Sequence, residues 1–163
     1  MIFHTLSDSI TEIVLATADE TYAGSENTIK VKICQELNCC ETPILQGRYE
    51  RGSLTTFSGK DLGDCEYESI DINLPIEATA IVPSNAPADG WIGTSININY
   101  VSGHSAICPL NNTWIDNKGS WAPSSLKVSC SDKGKQNRHL FHKLSLKTFP
   151  FITVSDIGVC KEN

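Results

Sequence analysis

The chain has 163 residues, of which 40% are hydrophobic and 20% are charged. This is a globular composition at the length of one domain, which excludes a collagenous or intrinsically disordered chain. The formal net charge of −6 argues against nucleic-acid binding, and it opposes contact with anionic lipid unless a cation bridges the two surfaces. No apolar run approaches the roughly 18–20 residues of a membrane-spanning helix, so no transmembrane segment is expected.

Alternation of apolar and polar residues with a period of two is the dominant pattern, and it predicts half-buried β-strands. Residues 28–33 are an example, because isoleucine and valine alternate there with lysine. The predicted strands are, in chain order, 10–17, 28–33, 70–74, 96–100, 126–130 and 144–154. Clusters of Gly, Pro, Asn and Asp predict turns at 23–25, 58–61 and 83–90, and 74–91 is expected to be the longest loop. This pattern is typical of an all-β antiparallel sandwich or barrel.

Seven cysteines are scattered along the chain without the paired spacing of a zinc site, and they favour a secreted protein with at least two disulfides. An odd count leaves one thiol free or bridging two chains, so we expect a monomer or a disulfide-linked dimer. We expect this thiol at Cys39 or Cys40, because neighbouring side chains on a strand point to opposite faces and rarely bond each other. Asn111 begins an Asn-Asn-Thr glycosylation sequon, which agrees with secretion. Buried free thiols and a chance sequon are the alternative.

Four segments resemble, in the same order, motifs of PLAT domains, the lipoxygenase-homology β-sandwiches. They are 23–29 (AGSENTI), 49–57 (YERGSLTTF), 61–63 (DLG) and 89–98 (DGWIGTSINI). A fifth, 106–115, is more loosely similar to the family's final strand. The resemblance covers 10–116 and implies a PLAT-like sandwich of about eight strands with Trp91 in the core. Residues 117–163 are then a C-terminal β extension within a single domain, 1–163, and the chain is closer to small secreted PLAT proteins than to a lipoxygenase.

The resemblance also implies a candidate calcium site. In PLAT domains that bind calcium, the loop before the second strand gives carbonyl oxygens, and acids near the other motifs give carboxylates. The residues that match these positions are Tyr22, Ala23, Gly24, Glu26, Glu50 and Asp89. Ca²⁺ takes six to eight oxygen ligands, which such loops can supply. Thr55 stands where the family has Asp, which favours a calcium-free form, and a solvated acidic face is the alternative.

Two tryptophans lie in polar stretches, Trp114 in the segment 111–114 and Trp121 in the segment 119–123. An amphipathic Trp at a loop tip suits a membrane interface or a protein contact, so both are expected to touch a membrane or a partner. The alternative is that each indole folds back onto the edge of the sandwich.

No nucleophile elbow, zinc-protease motif or phosphate-binding loop occurs, so the chain is not expected to be an enzyme. We expect a secreted, non-catalytic PLAT-like binding module for lipid surfaces or a protein partner, with Ca²⁺ as a candidate cofactor. Two alternatives stay open. One is a secreted enzyme or toxin with a site on the sandwich, and the other is a structural or defence protein of the extracellular matrix.

Overall fold

The computed structural model describes residues 7–26, 28–86, 89–118 and 122–132. These residues form two antiparallel sheets, which confirms the all-β sandwich. The strands of the described residues are β1 Ser7–Thr17, β2 Thr28–Gln35, β3 Asn38–Glu41, β4 Leu45–Gln46, β5 Leu54–Ser58, β6 Ser69–Asp71, β7 Glu77–Ile81, β8 Trp91–Tyr100, β9 Ser105–Ile115, β10 Ser125–Ser129 and β11 Ser131–Asp132. A 3₁₀ helix spans Gly59–Cys65. No helix within the described ranges is long and apolar enough to span a membrane.

The first sheet has the strand order β11-β9-β8-β1-β5, with β6 paired to the beginning of β1. The second has the order β10-β7-β2-β3, with β4 paired to the beginning of β2. Strand β2 shows how the sequence produces this arrangement. Its Ile29, Val31 and Ile33 are buried, while the intervening lysines lie on the outer face. The core is therefore the layer between the two sheets.

Several sequence predictions need correction in this framework. The predicted loop 74–91 contains strand β7, whose inward residues are the fully buried Ala78 and Ala80. Alanine is a poor signal for a strand, and these small side chains fit where β7 packs between β2 and β10. The predicted strand 70–74 ends at Asp71, because its carboxylate accepts the N–H of Asn73 at 2.9 Å and forms a turn. The predicted strand 144–154 lies outside the described residues.

The chain crosses from the second sheet to the first at Cys130, between β10 and β11. The Cys130 N–H donates to the Ile76 carbonyl at 2.8 Å, and a disulfide joins Cys130 to Cys108 on β9. Strands β10 and β11 thus pair with β7 and β9. Strands β10 and β11 confirm the expected strands beyond Asn117 as far as Asp132. The sandwich therefore includes part of the predicted C-terminal extension.

The other disulfides are Cys34–Cys39 and Cys40–Cys65, so the prediction of an unpaired thiol at Cys39 or Cys40 is wrong. The physical premise holds, because the two adjacent side chains do point to opposite faces. Each therefore has a different partner: Cys39 bonds across the outer face of the β2–β3 hairpin, and Cys40 bonds inward to the fully buried Cys65. The seventh cysteine, Cys160, lies outside the described residues.

Trp91 lies in the core, fully buried, as predicted. Its Nε1–H donates to Thr17 Oγ1 at 3.0 Å, and its ring centroid is 5.9 Å from that of Tyr49. A β-carbon at Gly93 would lie about 2.5 Å from both the Trp91 ring and Leu110 Cδ1. Only glycine therefore allows the indole to pack this closely on β8.

At the other end of the sandwich, Asp8 holds the turn between β8 and β9. Its Oδ1 accepts the N–H groups of Ser9 at 2.9 Å and Ser102 at 3.2 Å, and its Oδ2 accepts the Ser102 hydroxyl in a short hydrogen bond. Burial raises the pKa of the Asp8 carboxyl, but these hydrogen bonds, together with the nearby His104, outweigh burial and leave the pKa below 3.8. The carboxylate therefore stabilises the fold above that pH, and the stabilisation is lost as pH falls.

We predict that Asp8→Asn lowers the free energy of unfolding by about 1–2 kcal/mol at neutral pH, because it weakens charge-assisted hydrogen bonds. The difference from wild type should shrink as the pH falls below 3.8. Denaturant unfolding at neutral and acidic pH measures both effects. Asp64→Asn, at an exposed position, is the control and should change stability by less than about 0.5 kcal/mol. An Asp8→Asn deficit that is the same at both pH values would contradict this account.

Candidate functional site

An open cleft of about 370 Å³ lies where β2 begins and where the chain leads into β8. Its lining residues are Gly24, Ser25, Glu26, Arg48, Tyr49, Glu50 and Asp89. We call this set the acidic cleft, because three carboxylates face one guanidinium. Four of the six residues predicted for a calcium site line it, namely Gly24, Glu26, Glu50 and Asp89.

A short backbone bridge builds one wall of the acidic cleft. The Ser25 N–H donates to the Tyr49 carbonyl at 2.9 Å, and the Tyr49 N–H donates back to the Ser25 carbonyl at 3.2 Å. A β-carbon at Gly24 would lie 3.1 Å from the Tyr49 carbonyl oxygen, so glycine allows the two segments to approach. The bridge places Glu26 and Glu50, one residue beyond each bridging residue, at the same cleft.

Asp89 ties the third segment to this wall. Its Oδ2 accepts the Glu26 N–H at 3.0 Å and lies 3.3 Å from the Ser25 hydroxyl oxygen. The Ser25 hydroxyl is also 3.1 Å from the Asp89 carbonyl oxygen. The Asp89 carboxylate therefore holds the chain at 25–26 in place, as well as contributing negative charge.

The floor of the acidic cleft is neutral. The Tyr49 hydroxyl donates to the Leu45 carbonyl at 2.7 Å, and the side chain is fully buried. Burial raises the pKa of Tyr49 well above its ordinary value, so the phenol stays protonated at physiological pH. The charge of the cleft comes from Glu26, Glu50, Asp89 and Arg48.

The acidic cleft does not form a calcium cage with the side chains as they are placed. Among the described residues, no three Asp, Glu, His or Cys side chains are arranged to hold one metal ion. Of the other two predicted ligands, Ala23 is fully buried and Tyr22 is 82% exposed, and neither lines the cleft. Thr55, the departure from the family pattern, donates its hydroxyl to the Arg48 carbonyl at 3.3 Å.

The expected loop position of Trp114 is wrong. Trp114 lies in β9, opposite Ile92 of β8, and is half-buried against Ala18, Ala23 and Ile92. A β-carbon at Gly90 would lie 2.3 Å from its indole, so the ring rests directly on that glycine. Whether it contacts a membrane or a partner stays a prediction, but the indole already packs on the sandwich.

The polar neighbours of Trp114 belong to a bulge in β9. Asn111 and Asn112 both have positive φ angles, 53° and 52°, and interrupt the pairing with β8 without ending the strand. Asn111 is exposed, and its glycosylation stays a prediction. Trp121 lies outside the described residues.

Tyr22 is the exposed aromatic residue at this end of the sandwich. It is 82% exposed and has a φ of 66°, so it sits in the left-handed region on the loop between β1 and β2. The motif resemblance implied only a carbonyl ligand at Tyr22. Arg48 was not predicted at all, although its position directly before the 49–57 motif was a signal that it lies near Glu50.

Comparison with known proteins gives matches only among solved structures. No family model matches the chain, and no curated protein matches it. The structure of delta413-417:GS LOX in complex with arachidonate matches 89% of this chain and 21% of that chain, at 13% identity and a TM-score of 0.48. Coral 8R-lipoxygenase, described with calcium activation via a C2-like domain, matches 90% of this chain and 22% of that chain, also at 13% identity and a TM-score of 0.48. The chain spans about a fifth of the length of these proteins, and the PLAT family stays a resemblance in sequence.

We predict that Trp114→Ala lowers the free energy of unfolding by about 1–3 kcal/mol, because it removes a packed indole from Gly90 and Ile92. Tyr22→Ala should change stability by less than about 0.5 kcal/mol, because an 82% exposed side chain buries little area. Thermal or denaturant unfolding of the two variants measures the contrast. Equal effects of the two substitutions would contradict the assignment of Trp114 to the sandwich surface and Tyr22 to solvent.

Proposed function

We propose that the chain is a secreted, non-catalytic PLAT-like binding module, and that the acidic cleft with the neighbouring Tyr22 is its contact surface. One observation carries the proposal. Three separate segments, at 24–26, 48–50 and 89, contribute to one open cleft, beside a loop that presents a bare aromatic ring. The three disulfides support an extracellular location, where such bonds persist.

The charge of this surface favours a protein partner with basic side chains. Glu26 and Glu50 are exposed at the cleft, and Arg48 is the cation that faces them. An anionic leaflet would repel this surface by on the order of 1 kcal/mol for each like charge near it. A lysine or arginine from a partner would instead meet complementary charge, and Tyr22 has the amphipathic character common among interface hot spots.

Calcium-dependent lipid binding is the competing form of the proposal. Its support is the presence of three carboxylates at one cleft, together with the calcium activation stated for the coral enzyme. Against it stands the absence of a cage in the described part of the chain. We therefore assign no step to calcium and let the experiment separate the two partners.

The binding test uses a lysine-rich peptide as probe, titrated by calorimetry at low salt. We predict that Glu50→Gln weakens binding about two- to fivefold, the range for one exposed ion pair. Tyr22→Ala should weaken it about tenfold, as expected for a moderate hot spot. Glu36→Gln makes the same change in net charge at the distant β2–β3 hairpin, and it should leave the affinity within about twofold.

Vesicles of phosphatidylcholine with phosphatidylserine, sedimented with and without about 1 mM Ca²⁺, form the second arm. If the protein sediments with the vesicles only when Ca²⁺ is present, and Glu50→Gln abolishes this, the partner is a lipid surface and not a protein. The proposal fails if Glu50→Gln and Glu36→Gln weaken peptide binding equally and the protein does not sediment with vesicles either with or without Ca²⁺. The acidic cleft is then not the contact surface.

A further inference from the structure

We propose that the Cys34–Cys39 disulfide is a thiol-exchange site. An external thiol attacks Cys39 Sγ, and Cys34 leaves as the thiolate. The site lies on the outer face of the β2–β3 hairpin, at the opposite end of β2 from the acidic cleft, and it does not depend on the binding function proposed above.

The Cys34–Cys39 disulfide is more accessible to solvent than the other two disulfides. Cys39 is exposed and Cys34 is half-buried. In contrast, Cys40–Cys65 joins side chains that are 5% and 0% exposed, and Cys108–Cys130 includes the fully buried Cys108. Of these three disulfides only Cys34–Cys39 includes an exposed residue, so a thiolate reaches it most readily in the folded protein, whereas Cys40–Cys65 needs local opening of the sandwich and Cys108–Cys130 presents only the half-buried Cys130.

The position of the pair in the sheet selects the sulfur that is attacked. Thiol exchange proceeds by approach of the thiolate in line with the bond that breaks, here the bond from β2 to β3. Within the described residues no strand pairs with β3 on the side away from β2, so approach to Cys39 comes from the open edge of the sheet. On the opposite side Cys34 is the register partner of Glu77 on β7, so an in-line approach to Cys34 would have to pass over a neighbouring strand of the sheet.

The hairpin has enough other support to survive the exchange. Register partners Ile33 and Cys40 stay paired by the backbone, and Cys40 remains bonded to Cys65 in the core. The Gln35 side chain also donates to the Asp71 carbonyl at 2.8 Å and accepts the Asp71 N–H at 2.9 Å, which anchors the hairpin to β6. The Cys34–Cys39 bond closes the shortest of the three disulfide loops, so its loss releases the least chain entropy.

The exchange is balanced without an oxidant. The external thiolate forms a new S–S bond to Cys39, the Cys34–Cys39 bond breaks, and Cys34 carries the electron pair away and takes a proton from solvent. Return attack by Cys34 on the mixed disulfide restores the original bond and releases the thiol. A second external thiol that attacks the mixed disulfide instead leaves both cysteines reduced and is itself oxidised to a disulfide with the first.

The test uses the full chain carrying Cys160→Ser, so that the seventh cysteine cannot compete, and reduced glutathione as the thiol. After acid quenching and maleimide capture, cleavage at glutamates separates Cys34, which precedes Glu36, from Cys39, which precedes Glu41. We predict a glutathione adduct on Cys39 and a maleimide on Cys34, formed at least about tenfold faster than any change at the other disulfides. Fragmentation of the 37–41 peptide distinguishes Cys39 from Cys40.

A double variant, Cys34→Ser with Cys39→Ser, is the control for the fold and for the rate. This double variant should unfold in one cooperative thermal transition, and it should no longer form a glutathione adduct rapidly. A fast adduct on Cys34, on Cys40 or on Cys108, equal rates at all three disulfides, or a fast reaction that persists in the double variant would each overturn the assignment.

Discussion

The contact of Trp91 with Tyr49 and Thr17 is the feature on which the site depends. The indole is fully buried, donates to Thr17 Oγ1 at 3.0 Å and packs 5.9 Å from the Tyr49 ring. Tyr49 lines the acidic cleft and directly precedes Glu50, and Trp91 follows Asp89 by two residues. The core contact therefore positions the backbone that carries two of the three carboxylates, Glu50 and Asp89.

The end of the sandwich that contains the acidic cleft has a fixed backbone and exposed charged side chains. Backbone bonds between Ser25 and Tyr49, and the carboxylate of Asp89, fix the walls of the cleft, while Glu26 and Glu50 remain exposed. A cleft whose backbone is held in place loses little backbone conformational entropy on binding, which favours recognition of a partner. Of the three carboxylates, Asp89 accepts hydrogen bonds from the chain at 25–26, while the exposed Glu26 and Glu50 supply the negative charge that the proposed basic partner would meet.

The sequence predicts features that a local pattern determines, and it misses those that depend on contacts between distant segments. The lysine alternation of β2 predicted that strand from its own neighbours, and the motif resemblance implied the buried position of Trp91. The alanines of β7 do not predict a strand by themselves. This strand depends on its pairing with β2 and β10 on either side. Trp114 was misplaced because its polar neighbours belong to a bulge within β9. The acids of the cleft were found through motif resemblance, since no sequence spacing relates Glu26 to Asp89.

The most direct measurement is amide hydrogen exchange in a Trp91→Phe variant, which keeps an aromatic ring but removes the donor to Thr17. The amides of Ser25 and Tyr49 form the bridge of the acidic cleft, while the Val101 amide donates to Ser9 at the opposite end. If the core contact holds the cleft, exchange at Ser25 and Tyr49 should accelerate at least about tenfold more than at Val101. Equal acceleration at all three amides, or none at the bridge, would contradict the account.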